Sequence, residues 1–364
     1  MAVTRRDVTA DSVPGESPPG SGFAMKRARL ARLLLATCLG SLTMLIFYLQ
    51  SGSVLEAEVI VGRNSSPSRT SRTSLQMLYS SDQTNLSDIQ ASLKSRRERL
   101  EEVCRSHPFK KQALTPDDLR HLIVDDEHGL LYCYVPKVAC TNWKRVMMVL
   151  TGGGRYQEPL AIPANEAHVP SHLRSLADFS ASEIHRRLRS YLKFVFVRDP
   201  FERLVSAYRN KFTRSYNSAF HRRYGTEIVR QHRRHPAPEA LRRGHDVSFA
   251  EFLYYLVDPR TRRQGPFNEH WERVHQLCHP CLVHYDVVGK YETLQQDAQY
   301  VLKLAGAGDK IHFPALAKDS RTTGDTAAGF FSSIGPFYQR RLYSLYHMDF
   351  LLFNYSTPTY LQLR

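Results

Sequence analysis

At 364 residues with 42% hydrophobic side chains, the chain can build one sizeable core with appendages, and length alone would allow two domains. Its formal net charge of +15 calls for an acidic partner. Six cysteines are too few to impose a disulfide scaffold.

The first predicted element is a membrane anchor. No residue from Leu33 to Leu49 is charged, and Lys26, Arg27, Arg29 and Arg32 stand just before it. These 17 residues are the short end of a spanning helix. A cleaved signal peptide would be shorter and would close on small residues, whereas this stretch ends Phe47-Tyr48-Leu49-Gln50. The expectation is a cytosolic tail over 1–32, an uncleaved signal anchor over 33–49 and a lumenal remainder, because basic flanks stay cytosolic. Met25 offers a second start site. Residues 50–112, rich in Ser, Arg, Gln and Thr, carry sequons at Asn64 and Asn85 and read as a flexible stem before a folded domain over 113–364. A third sequon is Asn354-Tyr-Ser.

Strands are predicted at 131–135, 193–197 and 283–289, separated by helical stretches, which argues an α/β fold with a parallel sheet flanked by helices. The first strand runs into Pro136-Lys137-Val138-Ala139-Cys140-Thr141-Asn142, after which Trp143, Val146, Met147 and Leu150 follow at helical spacing. Such a loop caps a helix N-terminus, whose free N–H groups and dipole, with the Lys137 ammonium, suit an oxyanion. The glycines of a Walker loop are absent. The second strand runs into Arg198-Asp199-Pro200-Phe201-Glu202-Arg203-Leu204-Val205-Ser206, with Phe201, Leu204, Val205 and Tyr208 on a helical stripe. A guanidinium fork at Arg198 and the Ser206 hydroxyl suit a second phosphate. Either corner alone reads equally well as a helix cap with a solvated cation.

Between Arg209 and Arg243 ten Lys or Arg face only Glu227 and Glu239, with Tyr208, Tyr216 and Tyr224 interleaved. This segment is the acceptor-groove candidate for a polyanion. Cys278-His-Pro-Cys281 has the spacing of half a zinc site or a redox dithiol, with no second such pair to complete a four-thiolate site. Cys140 is an odd thiol in the first corner, and a structural disulfide is expected elsewhere with its partners open.

Together the corners suit a ligand with two separated anionic groups, such as 3′-phosphoadenosine 5′-phosphosulfate. The pair resembles the 5′-phosphosulfate and 3′-phosphate loops of Golgi carbohydrate sulfotransferases, in a P-loop-like sulfotransferase fold. Tyr132 to Lys144, Ile162 to His168, Pro266 to Trp271 and Asp349 to Tyr355 are similar to the chondroitin 4-O-sulfotransferase group. Asp199 stands where that group has Glu and keeps the charge.

The resemblance implies a Golgi single-pass type II enzyme with a lumenal catalytic domain, moving sulfate from phosphoadenosine phosphosulfate to the 4-hydroxyl of N-acetylgalactosamine in chondroitin, with dermatan as a further acceptor. Its partners would be the glycosaminoglycan chain and the membrane, with a homodimer allowed through the stem; a lumenal location argues against nucleic acid. In-line sulfuryl transfer needs position and charge but no metal. Lys137 would meet the leaving phosphate, Thr141 and the loop N–H groups the 5′ oxyanions, and Arg198 with Ser206 the 3′-phosphate. His168 is expected as the base because its surroundings resemble the region of uronyl 2-O-sulfotransferases that carries their catalytic histidine; Glu166, and His270 with Glu269, are the alternatives. Arg321 resembles a late loop closing over the nucleotide. Two other classes compete: a glycosyltransferase using Asp125, Asp126 and Glu127 as metal carboxylates, and a non-catalytic glycosaminoglycan-binding protein.

Overall fold

The computed structural model describes residues 74–107, 113–315 and 322–363. The expected anchor at 33–49, the sequon at Asn64 and the loop residue Arg321 lie outside them. Among the described residues no helix is long and apolar enough to cross a membrane.

One sheet runs in the order β1 (Leu122–Asp125), β2 (Leu130–Cys133), β3 (Leu192–Val197), β4 (Val287–Lys290). β2, β3 and β4 are parallel, with Cys133 beside Val195 and Val195 beside Val288. β1 pairs antiparallel to β2, so the all-parallel expectation is corrected to a mixed sheet. Only a tight turn separates β1 from β2, and a parallel return needs a crossover of a dozen or so residues. The third predicted strand also starts later than 283. Pro280–Val283 is a helical turn, His284 is left-handed at φ 57, and the sheet is joined where the Asp286 N–H bonds the Lys193 carbonyl at 2.8 Å.

The longer helices around the sheet and beyond it are α1 (Ser74–Ser106), α2 (Cys140–Thr151), α3 (Ala181–Ser190), α4 (Pro200–Phe212), α5 (Phe249–Val257), α6 (Leu294–Leu304) and α7 (Pro336–Leu352). β2 is buried along its whole length and β3 from Lys193 onward, as strands covered on both faces must be. Trp143 on α2 packs into the sheet with Phe194, Phe196 and Phe313 at ring separations of 4.7, 5.0 and 4.9 Å. The stripe on α4, Phe201, Leu204, Val205 and Tyr208, feeds a second apolar cluster with α5 and α7. Both helical stripes read from the sequence are buried.

The flexible stem is corrected over its last part. α1 buries Leu93, Leu100 and Val103 against the sheet's core, Arg96 reaches Asp297 at 2.6 Å, and Cys104 is bonded to Cys281. Ser, Arg and Glu dilute that stripe in the sequence, which is why it reads as a solvated linker. Cys133 pairs with Cys278, so Cys278 and Cys281 form neither half a zinc site nor a dithiol with each other, and Cys140 is free.

The Cys104–Cys281 link closes a loop spanning 177 residues and clamps α1 to the domain. Cys281→Ser is expected to cost about 2–4 kcal/mol of stability by freeing the unfolded chain. Calorimetry should show a lower unfolding midpoint, and an unchanged one would mean that α1 docks without the bridge.

Candidate active site

Beyond the end of β2, the turn Pro136–Ala139 delivers the chain to the start of α2. Lys137 (φ 72) and Ala139 (φ 56) are both left-handed without being glycine, a strained arrangement that persists where its surroundings hold it. Two arginines do so: Arg203 Nε donates to the Pro136 carbonyl at 3.0 Å, and Arg198 Nη1 donates to that of Lys137 at 3.4 Å. Alternating backbone hand turns successive N–H groups into a concavity that favours anions. The helical ladder begins only with the Trp143 N–H on the Ala139 carbonyl, so the first-turn N–H groups of Cys140, Thr141 and Asn142 have no partner within the helix.

The second corner follows β3. Asp199 caps α4, accepting from the Phe201 and Glu202 N–H groups at 2.9 and 3.0 Å, with Pro200 in the first turn. Arg198 is only 3% exposed, stacks on Tyr291 at 4.1 Å, donates to the Thr322 carbonyl and has its Nε unpartnered. A buried guanidinium whose charge repels that of Lys137 suits an anion that is not part of the protein.

Both corners open into one cavity of about 850 Å³. Pro136, Lys137, Ala139, Cys140, Thr141, Arg198, Ser206 and His168 line it, as the sequence reading requires of a single bridging ligand. Six cationic side chains, Lys137, Lys144, Arg198, Arg209, Lys211 and Arg214, face one carboxylate, Glu269.

The rest of the two predicted loops shapes the corners without lining this cavity. Val138, Pro200, Phe201, Leu204 and Val205 are core residues, Asn142 Nδ2 donates to the Pro314 carbonyl, Asp199 is the cap and Glu202 pairs with Arg198. Arg203 is corrected from a donor contact to a brace: 1% exposed, it spends its donors on the carbonyls of Pro136, Glu269 and Glu272.

His168 sits at the rim, in a helical turn over Glu166–His168, with Nε2 3.0 Å from Thr141 Oγ1. Glu166 is turned away, accepting from Tyr156 and pairing with Arg155. His270 lines the same cavity, and its Nδ1 lies 2.7 Å from Asn268 Oδ1. Because Asn268 Nδ2 donates to Tyr224, its oxygen faces the ring, so His270 carries its proton on Nδ1.

Burial and mutual repulsion set the electrostatics. Burial, then the charges of Lys211, Arg198 and Arg203, outweigh the neighbouring Cys140 and bring Lys137 down to about 8. Burial followed by Lys144, Lys211 and Arg145 lowers His168. Burial, then Lys211, Lys137, Arg203 and His168, holds His270 down to about 2. The cavity therefore has surplus positive charge and neutral histidines, suited to an anionic ligand and proton acceptance.

Lys144, Tyr134, Tyr291 and Thr322 line the cavity without having been singled out in the sequence. Lys144 was detectable, since Thr141 and Lys144 stand three residues apart and so share one side of α2's start. Tyr291 and Thr322 arrive from distant segments and carry no local signal.

Asp125 ends β1 and Asp126 opens the turn that leads to the start of β2, whereas the cavity lies beyond β2's end. Asp125 accepts from the Glu127 and His128 N–H groups and the His128 ring, and Asp126 is clamped by Arg187. They are turn and brace, which removes the observation behind the glycosyltransferase reading.

Residues 120–356 match the Sulfotransferase family. The chain belongs to that family. It is 53% identical over 344 residues to carbohydrate sulfotransferase 11 of Rattus norvegicus, covering 93% of this chain and 97% of the relative. It is 54% identical over 348 residues to carbohydrate sulfotransferase 11 of Danio rerio, with 93% and 98% covered. Carbohydrate sulfotransferase 12 of Mus musculus is 45% identical over 258 residues, 66% of this chain and 61% of that one. No solved structure matches. The resemblance to carbohydrate sulfotransferases is thus borne out, and the sulfotransferase is an enzyme that needs a sulfate donor.

Proposed function

We propose that this sulfotransferase moves sulfate from 3′-phosphoadenosine 5′-phosphosulfate to the 4-hydroxyl of N-acetylgalactosamine in chondroitin, and in dermatan as a further acceptor. The observation that carries this reading is one cavity with an anion corner at each of two strand ends and six cations facing one carboxylate. When bound, the donor would supply an electrophilic sulfur with a phosphate as leaving group.

This chain's own residues do the rest. Lys137 and the first-turn N–H groups of α2 hold the 5′ oxyanions, and Lys137 neutralises the charge left on the phosphate oxygen as its bond to sulfur breaks. Arg198 and Ser206 hold the 3′-phosphate and so set the register. His168 Nε2 takes the proton of the acceptor hydroxyl as its oxygen bonds to sulfur. The side-chain hydroxyl of Thr141, which now faces that nitrogen, turns to the oxyanions when they are present.

Arg198→Ala is expected to raise the donor KM about 10- to 100-fold, from loss of a charge-assisted contact of about 1.5–3 kcal/mol, with kcat little changed. Steady-state kinetics in donor concentration check this. A fall in kcat at constant KM would place Arg198 in the transition state instead.

A Golgi membrane location with the domain in the lumen is part of the same proposal. The uncharged stretch from Leu33 to Leu49 with its basic flank and the paired cysteines, which suit an oxidising compartment, support it.

The test is transfer from labelled donor to desulfated chondroitin and dermatan in chelator, followed by disaccharide analysis. A 4-sulfated N-acetylgalactosamine product is expected. Sulfation at another position would discard the acceptor, and activity only with added metal would discard the metal-free scheme.

A further inference from the structure

A second cavity, of about 600 Å³, lies along the basic segment and has no part in the donor site. Thr213, Ser215, Ser218, His221, Arg222, Arg242, Arg243 and His245 line it. Its position follows from the turn after α4. Arg214 and Tyr216 face the donor cavity, whereas Thr213 and Ser215 face the second one. Alternate residues of one short wall thus serve two cavities.

The lining has two kinds of polar group. Arg242 and Arg243 share Glu239, while Arg222 is exposed and has no ion pair among the described residues, so the cavity keeps a positive excess. Thr213, Ser215 and Ser218 are exposed and supply the hydroxyls, the Thr213 hydroxyl donating to the Arg209 carbonyl at 2.6 Å and keeping its oxygen free to accept. Exposed hydroxyls beside guanidinium groups suit a ligand that offers hydroxyls of its own and carries negative charge.

We propose that this second cavity is a remote subsite for the acceptor chain, holding an anionic sugar, a uronate or sulfated unit, some way along the polymer from the sugar that reacts. Resting on the acceptor reading above, it assigns that polymer a second point of attachment. Sugar hydroxyls bond those of Thr213, Ser215 and Ser218, and the carboxylate or sulfate is met by Arg222 and Arg243. Among the described residues no Phe, Tyr or Trp lines this cavity, which favours a glycan over a nucleic acid.

The consequence is length dependence, because only a chain long enough to reach both cavities gains the second attachment. The full-length chain is assayed as wild type, Arg222→Glu and Arg222→Lys, on desulfated chondroitin polymer and on a tetrasaccharide cut from it. Wild type should prefer the polymer in kcat/KM, Arg222→Glu should lose about tenfold of that preference, and Arg222→Lys should keep most of it. An unchanged preference in Arg222→Glu overturns the subsite while leaving the acceptor reading intact. A wild type that sulfates neither acceptor overturns the acceptor reading and the subsite with it.

Discussion

Lys137→Ala is expected to reduce kcat by about 10²- to 10³-fold, the scale of removing one preorganised group that meets developing charge. Lys137 combines a strained left-handed backbone, two arginine braces on its corner and a half-buried ammonium among other cations. Burial, with those neighbours adding to it, already brings it down to about 8, so a bound anion must raise it again. The bound form then has the higher pKa. Donor affinity is therefore fully present below about 8 and falls as pH rises through that value. Measured donor affinity from pH 7 to 9 should show this break in wild type and lose it in Lys137→Arg, which stays charged. Retention on an anionic resin should survive Lys137→Ala, because Arg222, Arg230 and Arg234 remain exposed. Unchanged turnover would remove Lys137 from the mechanism.

His168→Ala should lower kcat by about 10²- to 10⁴-fold if its Nε2 is the general base. Burial, then Lys144, Lys211 and Arg145, lower its pKa from the ordinary 6.5, so it stays neutral and able to accept a proton at mildly acidic pH. Activity should hold as pH falls to that ordinary value and decline only below it, and the variant should lose this acidic limb. His270 provides the discriminating control. Held down to about 2, with its tautomer set by Asn268, it cannot produce a limb in the working range. A His168→Ala enzyme near wild-type rate, with His270→Ala inactive, would move the base to His270.

Much of this arrangement was legible because local chemistry and global fold agree. Apolar β-prone runs ending in a capped helix mark both corners, and the stripes beginning at Trp143 and Phe201 lie where their spacing puts them. The places that read wrongly are those where distant chain decides. The antiparallel β1 depends on a short turn rather than on strand pattern. The docking of α1 depends on Cys281 and Asp297, about 180 to 200 residues away, for which a Ser- and Arg-rich helix carries no signal. Arg203 looks like a phosphate ligand by type and position, yet its burial against three carbonyls makes it the brace of the other corner. The basic segment also divided: part of it belongs to the donor cavity and part to the second one.

In the proposed function one nucleotide spans the two corners, its 5′ end at Lys137 and its 3′-phosphate at Arg198. Calorimetric titration of the full-length chain with adenosine 3′,5′-bisphosphate and with adenosine 5′-monophosphate tests it most directly. One site is expected, binding the bisphosphate about 10- to 100-fold more tightly, the worth of the Arg198 contact. Equal affinity for the two nucleotides would contradict it.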